Sequence, residues 1–376
     1  MNIPLQEILG KTFALRKTLK NTKFHLSKES IPKEYLSEEK EPEIRPFIKY
    51  IASEICKNPN SILEDSYTND ERTVDWASLQ AKKVLENGTI LEIDTRSKPG
   101  HKILDHHMKH FWDVKNFKGI CVRSLIQQET LEKALLANIS MHSTPYKSEI
   151  RKMLITMGGL GNVTKYRTIT SKAIVQFFNA RTVLDPCIGW GGRMLGTLAA
   201  FPDSMYVGCE PDPNTYNALK QILDDDALPK DVRKRAIVLQ EPAEVGLERI
   251  ARMGGKFDAI LTSPPYFNLE LYTAGDQSTN QYKTWENWIN EWLKPIILNS
   301  LSMLKPEGIS CWSVKNFRSD KTYPLADATK KIHEDAGWML VKTVVMRGSA
   351  RMGGKRIING KEARESEEET FCFRRK

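Results

Sequence analysis

The segment TSPPYF, Thr262 to Phe267, brings together side chains that suit the binding of an amino group on a flat ring. Ser263 Oγ and the Pro264 carbonyl oxygen are two hydrogen-bond acceptors, and Tyr266 offers an aromatic face for stacking. Pro264 and Pro265 cannot donate to a strand ladder, so the apolar run FDAIL must end here and turn. The segment therefore predicts a binding loop at the tip of a buried strand.

A second group of candidate residues lies in VLDPCIGWGGRML. Asp185 ends a predicted strand, and Gly189 and Gly191 precede a predicted helix, where glycine lets a ligand approach the backbone. The spacing differs from the GxGxxG dinucleotide motif, and a carboxylate in this position repels an anion but attracts an ammonium group. The pattern therefore favours a cofactor that carries an amino acid over one that presents a pyrophosphate.

Two more acids follow the next two predicted strands. Glu210 lies where a carboxylate can accept hydrogen bonds from both ribose hydroxyls of a nucleoside, and Pro211 begins the turn after it. Glu241 follows the third strand, where it could reach an adenine amino group. The alternative is that Asp185 and Glu210 only cap helices.

The elements that must position these residues alternate between strand and helix from about residue 158 onward. TITSKAIVQFF predicts a helix capped by Thr170 or Ser171. The apolar runs after it, each followed by a helical pattern, predict a doubly wound parallel sheet. WMLVKTVVMR and TFCFRRK are joined by a loop, which predicts a terminal antiparallel hairpin. Short helical patterns before residue 150 predict a separate, mainly helical module (1–150) ahead of the α/β domain (151–376).

Composition narrows the class of protein. The 376 residues include 56 Lys and Arg against 47 Asp and Glu, a net charge of +9 that suits a polyanionic partner. The six cysteines form no CxxC pair, so neither a zinc ribbon nor a disulfide framework is indicated. No signal peptide or membrane-spanning segment is recognised, and we expect a soluble, intracellular protein without membrane contact.

A histidine cluster lies in HKILDHHMKHFW, with Asp105, His106, His107 and His110 within two helical turns. Metal binding is compatible with this spacing. Because a fourth ligand and a redox or hydrolytic motif are missing, we expect packing or nucleic-acid contact, and no metal site is predicted.

DPCIGWGG followed by TSPPY resembles the S-adenosylmethionine-dependent DNA amino-methyltransferases, which make N4-methylcytosine or N6-methyladenine. The resemblance covers about residues 160 to 376 and implies a seven-stranded, Rossmann-like sheet with a reversed last strand. It also implies S-adenosylmethionine as cofactor. The implied cofactor contacts are Asp185, Pro186, Gly189, Gly191, Glu210, Pro211 and the helix near Thr170. The implied catalytic residues are Ser263, Pro264, Pro265 and Tyr266.

Ser263 favours cytosine N4 over adenine N6 as the target position that the resemblance implies. Serine is commoner among N4-cytosine enzymes of this family, whereas aspartate or asparagine is commoner among N6-adenine enzymes. Cys187 stands where the family usually has phenylalanine, and Trp190 is unusual in the glycine loop. The alternatives are an adenine-N6 enzyme, an RNA or protein amide methyltransferase, and an inactive nucleic-acid-binding subunit. A cytosine-C5 enzyme, suggested by Pro186-Cys187, is disfavoured because that dipeptide follows the wrong strand.

A base in a duplex would have to be flipped out to reach the TSPPY loop. The basic loop RGSARMGGKRIINGK, with Arg347, Arg351, Lys355 and Arg356, suits contacts to the DNA backbone. Because no large insertion follows the glycine loop, the N-terminal module (1–150) is predicted by elimination to read the target sequence. A restriction-modification role with a nuclease partner is compatible with this chemistry.

Overall fold

The structure is a computed structural model of the chain. It describes residues 41–91, 97–140, 146–160, 164–272, 277–347, 356–358, 361–363 and 367–376. The chain divides into a smaller unit, Met1–Ser66 with Lys109–Val163, and a larger unit, Tyr67–Met108 with Thr164–Lys376. The chain therefore enters the larger unit twice.

A seven-stranded sheet forms the centre of the larger unit. Its strands in chain order are β1 (Thr182–Asp185), β2 (Met205–Cys209), β3 (Ala236–Leu239), β4 (Phe257–Thr262), β5 (Leu304–Ser313), β6 (Trp338–Arg347) and β7 (Glu367–Arg375). Their spatial order is β6-β7-β5-β4-β1-β2-β3. Strand β7 is antiparallel to both of its neighbours, and the other neighbouring pairs are parallel. The predicted doubly wound sheet with a reversed last strand is confirmed.

The two central strands, β1 and β4, carry apolar residues through their middle because a doubly wound sheet buries both faces. Val183 and Leu184 in β1, and Ile260 and Leu261 in β4, are fully buried. The two strands run in parallel, with Leu184 opposite Ile260. The strand order reverses between β1 and β4, and open α/β sheets bind ligands at the carboxyl edge beside such a reversal.

The described part of the larger unit also contains eleven α-helices. They are α1 (Asn69–Ala81), α2 (His101–His107), α3 (Thr168–Phe177), α4 (Gly192–Leu198), α5 (Pro213–Asp224), α6 (Lys230–Arg233), α7 (Ala243–Arg252), α8 (Ser278–Gln281), α9 (Trp285–Asn287), α10 (Lys294–Ser302) and α11 (Leu325–Asp335). A π-helix, Trp288–Leu293, joins α9 to α10. Short antiparallel pairs are Leu85–Glu86 with Thr89–Ile90, Phe317–Arg318 with Thr322–Tyr323, and Arg356–Ile358 with Lys361–Ala363. Glu270–Leu271 is a further two-residue strand.

The segment Tyr67–Met108 belongs to the larger unit, whereas the sequence analysis placed it in the N-terminal module. A buried ionic contact accounts for this difference. The Asp225 carboxylate, just after α5, accepts a hydrogen bond from Arg72 Nε at 2.7 Å, and His107 Nε2 lies 2.7 Å from the same oxygen. Only 1% of the Asp225 side chain is exposed. A buried charge without a partner is strongly destabilising, so these contacts hold the segment against α5.

Lys172 of α3 makes a second attachment to the same segment. Its ammonium group donates to the carbonyl oxygens of Leu79, Gln80 and Lys82, at 2.9, 2.6 and 2.8 Å. These carbonyls lie at the end of α1, where the last turn has no intrahelical partners for them. Burial lowers the pKa of Lys172 to about 8. A lysine therefore caps the carboxyl end of α1 from the neighbouring helix.

The smaller unit is mainly helical among its described residues. Its helices are Glu41–Lys57, Asn60–Leu63, Gln128–Ser140 and Lys147–Met157, with 3-10 turns at Lys109–Asp113 and Arg123–Leu125 and a two-residue strand at Lys115–Asn116. A core of aliphatic side chains joins the helices, with Ile51, Ile55, Leu131, Ile150 and Leu154 almost fully buried. In the part of the chain that the structure describes, no helix combines the length and the apolar character that crossing a membrane requires.

Candidate functional site

Asp185, at the carboxyl end of β1, has no exposed surface (0%) and is surrounded by donors. Its Oδ1 accepts from Thr262 Oγ1 at 2.7 Å and from the Cys187 amide at 3.1 Å. Its Oδ2 accepts from Arg193 Nε at 2.7 Å and from the Tyr206 hydroxyl at 2.6 Å. A carboxylate offers about four acceptor positions, so the chain itself fills them. The ammonium contact predicted for Asp185 therefore has no open position in this structure.

Arg193, in the first turn of α4, supplies the counter-charge to Asp185 and is only 4% exposed. Its Nη2 donates to the carbonyl oxygens of Cys187 and, at 3.0 Å, Ile188. Its guanidinium carbon lies 5.1 Å from the ring centroid of Tyr166. Burial alone would lower the pKa of Arg193, but the Asp185 carboxylate outweighs burial and the pKa is raised. A permanent cation thus fixes the glycine loop to the end of β1.

Gly189 and Gly191 both have left-handed backbone angles, with φ of +58° and +78°. Side chains other than that of glycine rarely tolerate this conformation. A Cβ at Gly191 would lie 2.8 Å from Leu219 Cδ2, whereas a Cβ at Gly189 would meet nothing within 4 Å. Gly189 therefore borders open space, as a loop that lies against a ligand requires. Pro186, which begins this loop, is buried.

Glu210 follows β2 and faces the glycine loop. Its Oε2 accepts from the Gly189 amide at 2.9 Å, and its Oε1 accepts from the Asp212 amide at 3.0 Å. Burial raises the pKa of Glu210 to about 7. Each carboxylate oxygen keeps one more acceptor position, and the two together match the two hydroxyls of a ribose. Pro211 lies between these two acids and is half-buried.

Glu241 follows β3 and pairs with Arg249 of α7, at 2.7 Å between Oε1 and Nη1. Its Oε2 is buried and accepts no hydrogen bond from any residue that the structure describes. Buried acceptors without a donor are rare in folded proteins and call for an explanation. An amino group of a bound molecule would satisfy this oxygen.

The Ser263-Pro-Pro-Tyr segment follows β4 directly. Ser263 and Tyr266 are half-buried and Pro264 is buried. The Tyr266 ring packs edge-to-face on Phe317, with 5.3 Å between centroids. No residue in the described ranges makes a hydrogen bond to the Ser263 side chain, so its hydroxyl remains available. The Thr262 to Asp185 hydrogen bond joins this segment to the end of β1 and hence to the glycine loop.

Helix α3 begins at Thr168 with Arg167 at its N-cap, and the Arg167 side chain makes no capping hydrogen bond. Thr170 and Ser171 lie inside the helix and not at its N-cap. The capping predicted for Thr170 or Ser171 is therefore wrong. The Ser171 hydroxyl donates instead to the Arg193 carbonyl at 2.8 Å, which ties α3 to α4. Thr170 lies in the first turn and is only 2% exposed. A cofactor contact by Thr170 stays a prediction.

The predicted DNA-contacting residues lie only partly within the described chain. Arg351 and Lys355 fall outside it. Arg347 is the last residue of β6, and Arg356 begins a three-residue strand. Contacts between these residues and DNA stay a prediction.

The histidine cluster takes part in packing of the larger unit. His106 Nδ1 accepts a hydrogen bond from the Tyr67 amide at 3.0 Å, and His107 contacts Asp225 as described above. Asp105 pairs with Lys165 at 2.6 Å. His110 lies in the smaller unit.

Three residues of the Asp185 network were not predicted as site residues: Arg193, Tyr206 and Thr262. Arg193 could have been recognised from the sequence, since it is the one charged residue in the mostly apolar helix GRMLGTL. Tyr206 and Thr262 could not have been recognised in this way, because aromatic and β-branched residues are common in buried strands.

No family model and no curated protein sequence matches the chain. Among solved structures it resembles TrmN from Thermus thermophilus, at 14% identity and a TM-score of 0.37, over 57% of this chain and 50% of that one. It also resembles precorrin-6y C5,15-methyltransferase from Geobacter metallireducens, at 13% identity and a TM-score of 0.37, over 57% of this chain and 92% of that one. An O-methyltransferase from Bacillus cereus in complex with SAH gives 12% identity and a TM-score of 0.36, over 60% of this chain and 88% of that one. The chain thus spans half the length of TrmN, and similarity at this level assigns neither a substrate nor a partner.

Proposed function

We propose that the larger unit transfers a methyl group from S-adenosylmethionine to the exocyclic amino group of a DNA base, with cytosine N4 as the favoured position. The observation that carries this proposal is the placement of Ser263-Pro-Pro-Tyr. The segment follows β4 at the strand-order reversal and is tied through Thr262 to Asp185, beside the glycine loop. An amino group held there would lie close to a cofactor bound along β1 and β2.

The residues at the ends of β1, β2 and β3 fit S-adenosylmethionine. Glu210 has two acceptor positions left for the ribose hydroxyls. The buried Oε2 of Glu241, which accepts from no residue in the described ranges, suits the adenine amino group, and the open space at Gly189 lets the cofactor approach the loop. Bound in this way, the cofactor would supply an electrophilic methyl group.

The residues after β4 would prepare the amino nitrogen as a nucleophile. Ser263 Oγ and the Pro264 carbonyl oxygen would accept its two N–H groups, which favours a pyramidal nitrogen whose lone pair is available for attack. Tyr266 would stack on the base, and its own ring is held by Phe317. Transfer would be direct, with S-adenosylhomocysteine as the leaving group and one proton of the amino nitrogen lost to solvent. The chain therefore contributes positioning and hydrogen bonding, and no covalent enzyme intermediate is needed.

The proposed substrate is double-stranded DNA with the target base flipped out. Arg347, Arg351, Lys355 and Arg356 are proposed to contact its backbone, and the smaller unit, Met1–Ser66 with Lys109–Val163, to recognise the target sequence. The preference for cytosine N4 rests on Ser263 in the first position of the tetrapeptide. Adenine N6 is the alternative target within the same mechanism.

The test is to incubate the full-length protein with isotopically labelled S-adenosylmethionine and mixed-sequence DNA, and in a parallel reaction with mixed-sequence RNA, then identify labelled nucleosides by mass spectrometry. We expect label in N4-methylcytosine. Ser263→Ala should remove the activity, while Ser302→Ala, at an exposed serine of α10, should retain it. Label in N6-methyladenine would overturn the favoured base. Label only in RNA, or none in either nucleic acid with cofactor bound, would overturn the DNA substrate in favour of an RNA methyltransferase or an inactive subunit.

A further inference from the structure

The Asp185 carboxylate is the point where the two halves of the candidate site meet. Cys187 and Arg193, which donate to it, belong to the glycine loop and the start of α4. Thr262, which also donates to it, immediately precedes Ser263. One buried carboxylate therefore contacts both the cofactor loop and the strand that carries the catalytic tetrapeptide.

The contact between Thr262 and Asp185 is well placed to transmit small movements. Both residues are 0% exposed, so no water competes for the 2.7 Å hydrogen bond between them. Hydrogen bonds to a charged group in a buried site are stronger and more directional than those between neutral groups. The Thr262 side chain is also β-branched, which restricts its rotamers. A shift of Asp185 must therefore move Thr262 or break the bond.

Asp185 is also held firmly to the glycine loop. Arg193 binds Asp185 Oδ2 and the carbonyl oxygens of Cys187 and Ile188, so loop and carboxylate form one unit. A cofactor that contacts the loop at Gly189 acts on this unit. Cofactor binding at the loop is thus connected to Ser263 through only two residues, Asp185 and Thr262.

We propose that Thr262 is a positioning residue whose hydroxyl couples occupancy of the glycine loop to the geometry of Ser263-Pro-Pro-Tyr, with Asp185 as the connecting group. Asp185 acts in this arrangement as an internal acceptor, not as a ligand of the cofactor's ammonium group. The proposal rests on the proposed function in taking S-adenosylmethionine as the molecule that occupies the loop.

The chain offers a matched control at the other end of the same strand pair. Thr182, at the start of β1, exchanges hydrogen bonds with Asp258 at the start of β4, at 3.0 Å in each direction. Thr182→Val removes a hydroxyl that joins these strands, but far from the carboxyl edge. Thr262→Val removes the proposed coupling hydroxyl, and Thr262→Ser restores it.

The test is hydrogen–deuterium exchange of the full-length protein with and without saturating S-adenosylhomocysteine. Peptides that cover 187–198 and 260–272 report on the glycine loop and on the tetrapeptide. In the wild type both should exchange more slowly with ligand. In Thr262→Val the 187–198 peptide should keep its protection, while ligand-induced protection of 260–272 should fall by about tenfold or more, the fold-change expected for loss of one hydrogen bond to a charged group. Thr262→Ser and Thr182→Val should respond like the wild type.

Three results would overturn the coupling. One is unchanged ligand-induced protection of 260–272 in Thr262→Val. Another is an equal loss in Thr182→Val, which would indicate general loosening of the strand pair. The third is absence of ligand protection at 187–198 in the wild type, which would also remove the proposed cofactor.

A kinetic measurement separates this proposal from the choice of substrate. With a methyl acceptor identified, Thr262→Val should lower kcat about tenfold and leave KM for S-adenosylmethionine within about twofold. A raised cofactor KM with unchanged kcat would overturn the positioning role. If DNA is not methylated by the wild type, the DNA substrate fails, while the exchange experiment still decides the role of Thr262.

Discussion

The raised pKa of Glu210 predicts that cofactor affinity depends on pH in a defined window. Burial holds this pKa at about 7, against an ordinary value of 4.5. Ribose hydroxyls donate hydrogen bonds, and an ionised carboxylate accepts them better than a protonated one. Binding of S-adenosylhomocysteine should therefore release a proton below about pH 7. The association constant should rise by up to about tenfold per pH unit below this value and level off above it.

The stability of the unliganded protein should change in the opposite direction. Between pH 4.5 and about 7, Glu210 is protonated in the folded state and ionised in the unfolded state. The folded state then binds more protons, so its stability falls as the pH rises through this window. At about 1.36 kcal/mol per pKa unit, the contribution of Glu210 is at most about 3 kcal/mol. As the pH rises towards 7, ligand affinity should therefore increase while the stability of the unliganded protein decreases.

Isothermal titration calorimetry from pH 6 to 8, in buffers of different ionisation enthalpy, measures both the affinity and the proton release. Glu210→Gln should weaken binding by about 1.5 to 3 kcal/mol above pH 7, because the ribose loses a charged acceptor. The same variant should lose the pH dependence that Glu210 causes. Glu241→Gln is the matched control, a neighbouring acid that should weaken binding without removing this dependence. A flat wild-type profile, or a slope that persists in Glu210→Gln, would show that ionisation of Glu210 does not control cofactor affinity.

Three further predictions concern Tyr266 in the candidate site and two buried ionic groups of the larger unit, Lys172 and Asp225. Tyr266→Ala should weaken DNA binding by about 1 to 3 kcal/mol through lost base stacking and leave S-adenosylhomocysteine affinity unchanged in calorimetry; a loss of cofactor affinity would contradict its assigned role. Lys172→Met should lower the free energy of unfolding in urea by about 2 to 4 kcal/mol, because three carbonyls lose their donor; an unchanged midpoint would be inconsistent with the cap. Asp225→Asn should cost about 3 to 5 kcal/mol at pH 7, since Arg72 and His107 lose their buried partner. These hydrogen bonds hold the pKa of Asp225 below its usual range despite burial. The stability that ionised Asp225 contributes is therefore present above the unfolded-state pKa and is lost as the pH falls below it. A difference in unfolding free energy between wild type and Asp225→Asn that stays constant down to pH 3 would contradict this pH dependence.

The sheet and the residues at its carboxyl edge were predictable because the signals are local. The proline pair after FDAIL ends β4, and the glycines after VLD end β1. The carboxyl ends of parallel strands meet at one edge, which places Ser263, Asp185 and Glu210 on the same side of the sheet.

The internal network around Asp185 was not predictable for a physical reason. An acid before a glycine loop has the same sequence appearance whether its acceptors face a ligand or are filled by the chain. Two of the donors come from other strands, with Tyr206 lying 21 and Thr262 lying 77 residues away along the chain. Only the packed structure shows that Tyr206, which resembles an ordinary core residue, completes the set.

The placement of Tyr67–Met108 was missed for the same reason. Its helical patterns resemble those on either side, and the contact that locates it joins Arg72 to Asp225, 153 residues apart. Sequence periodicity shows which face of a helix is apolar but not which neighbour covers it.

The discontinuous layout of the smaller unit has a consequence for protein engineering and for how such a protein could acquire a new specificity. Its two stretches, Met1–Ser66 and Lys109–Val163, are separated by residues that belong to the sheet unit. An exchange of everything before residue 150 for the equivalent part of another protein would also remove Arg72 and His107, leaving Asp225 without the groups that compensate its charge. Grafting must therefore join two separate segments and leave the intervening one native. A single crossover beyond residue 108 would exchange the intervening segment as well and so remove Arg72 and His107 from the larger unit.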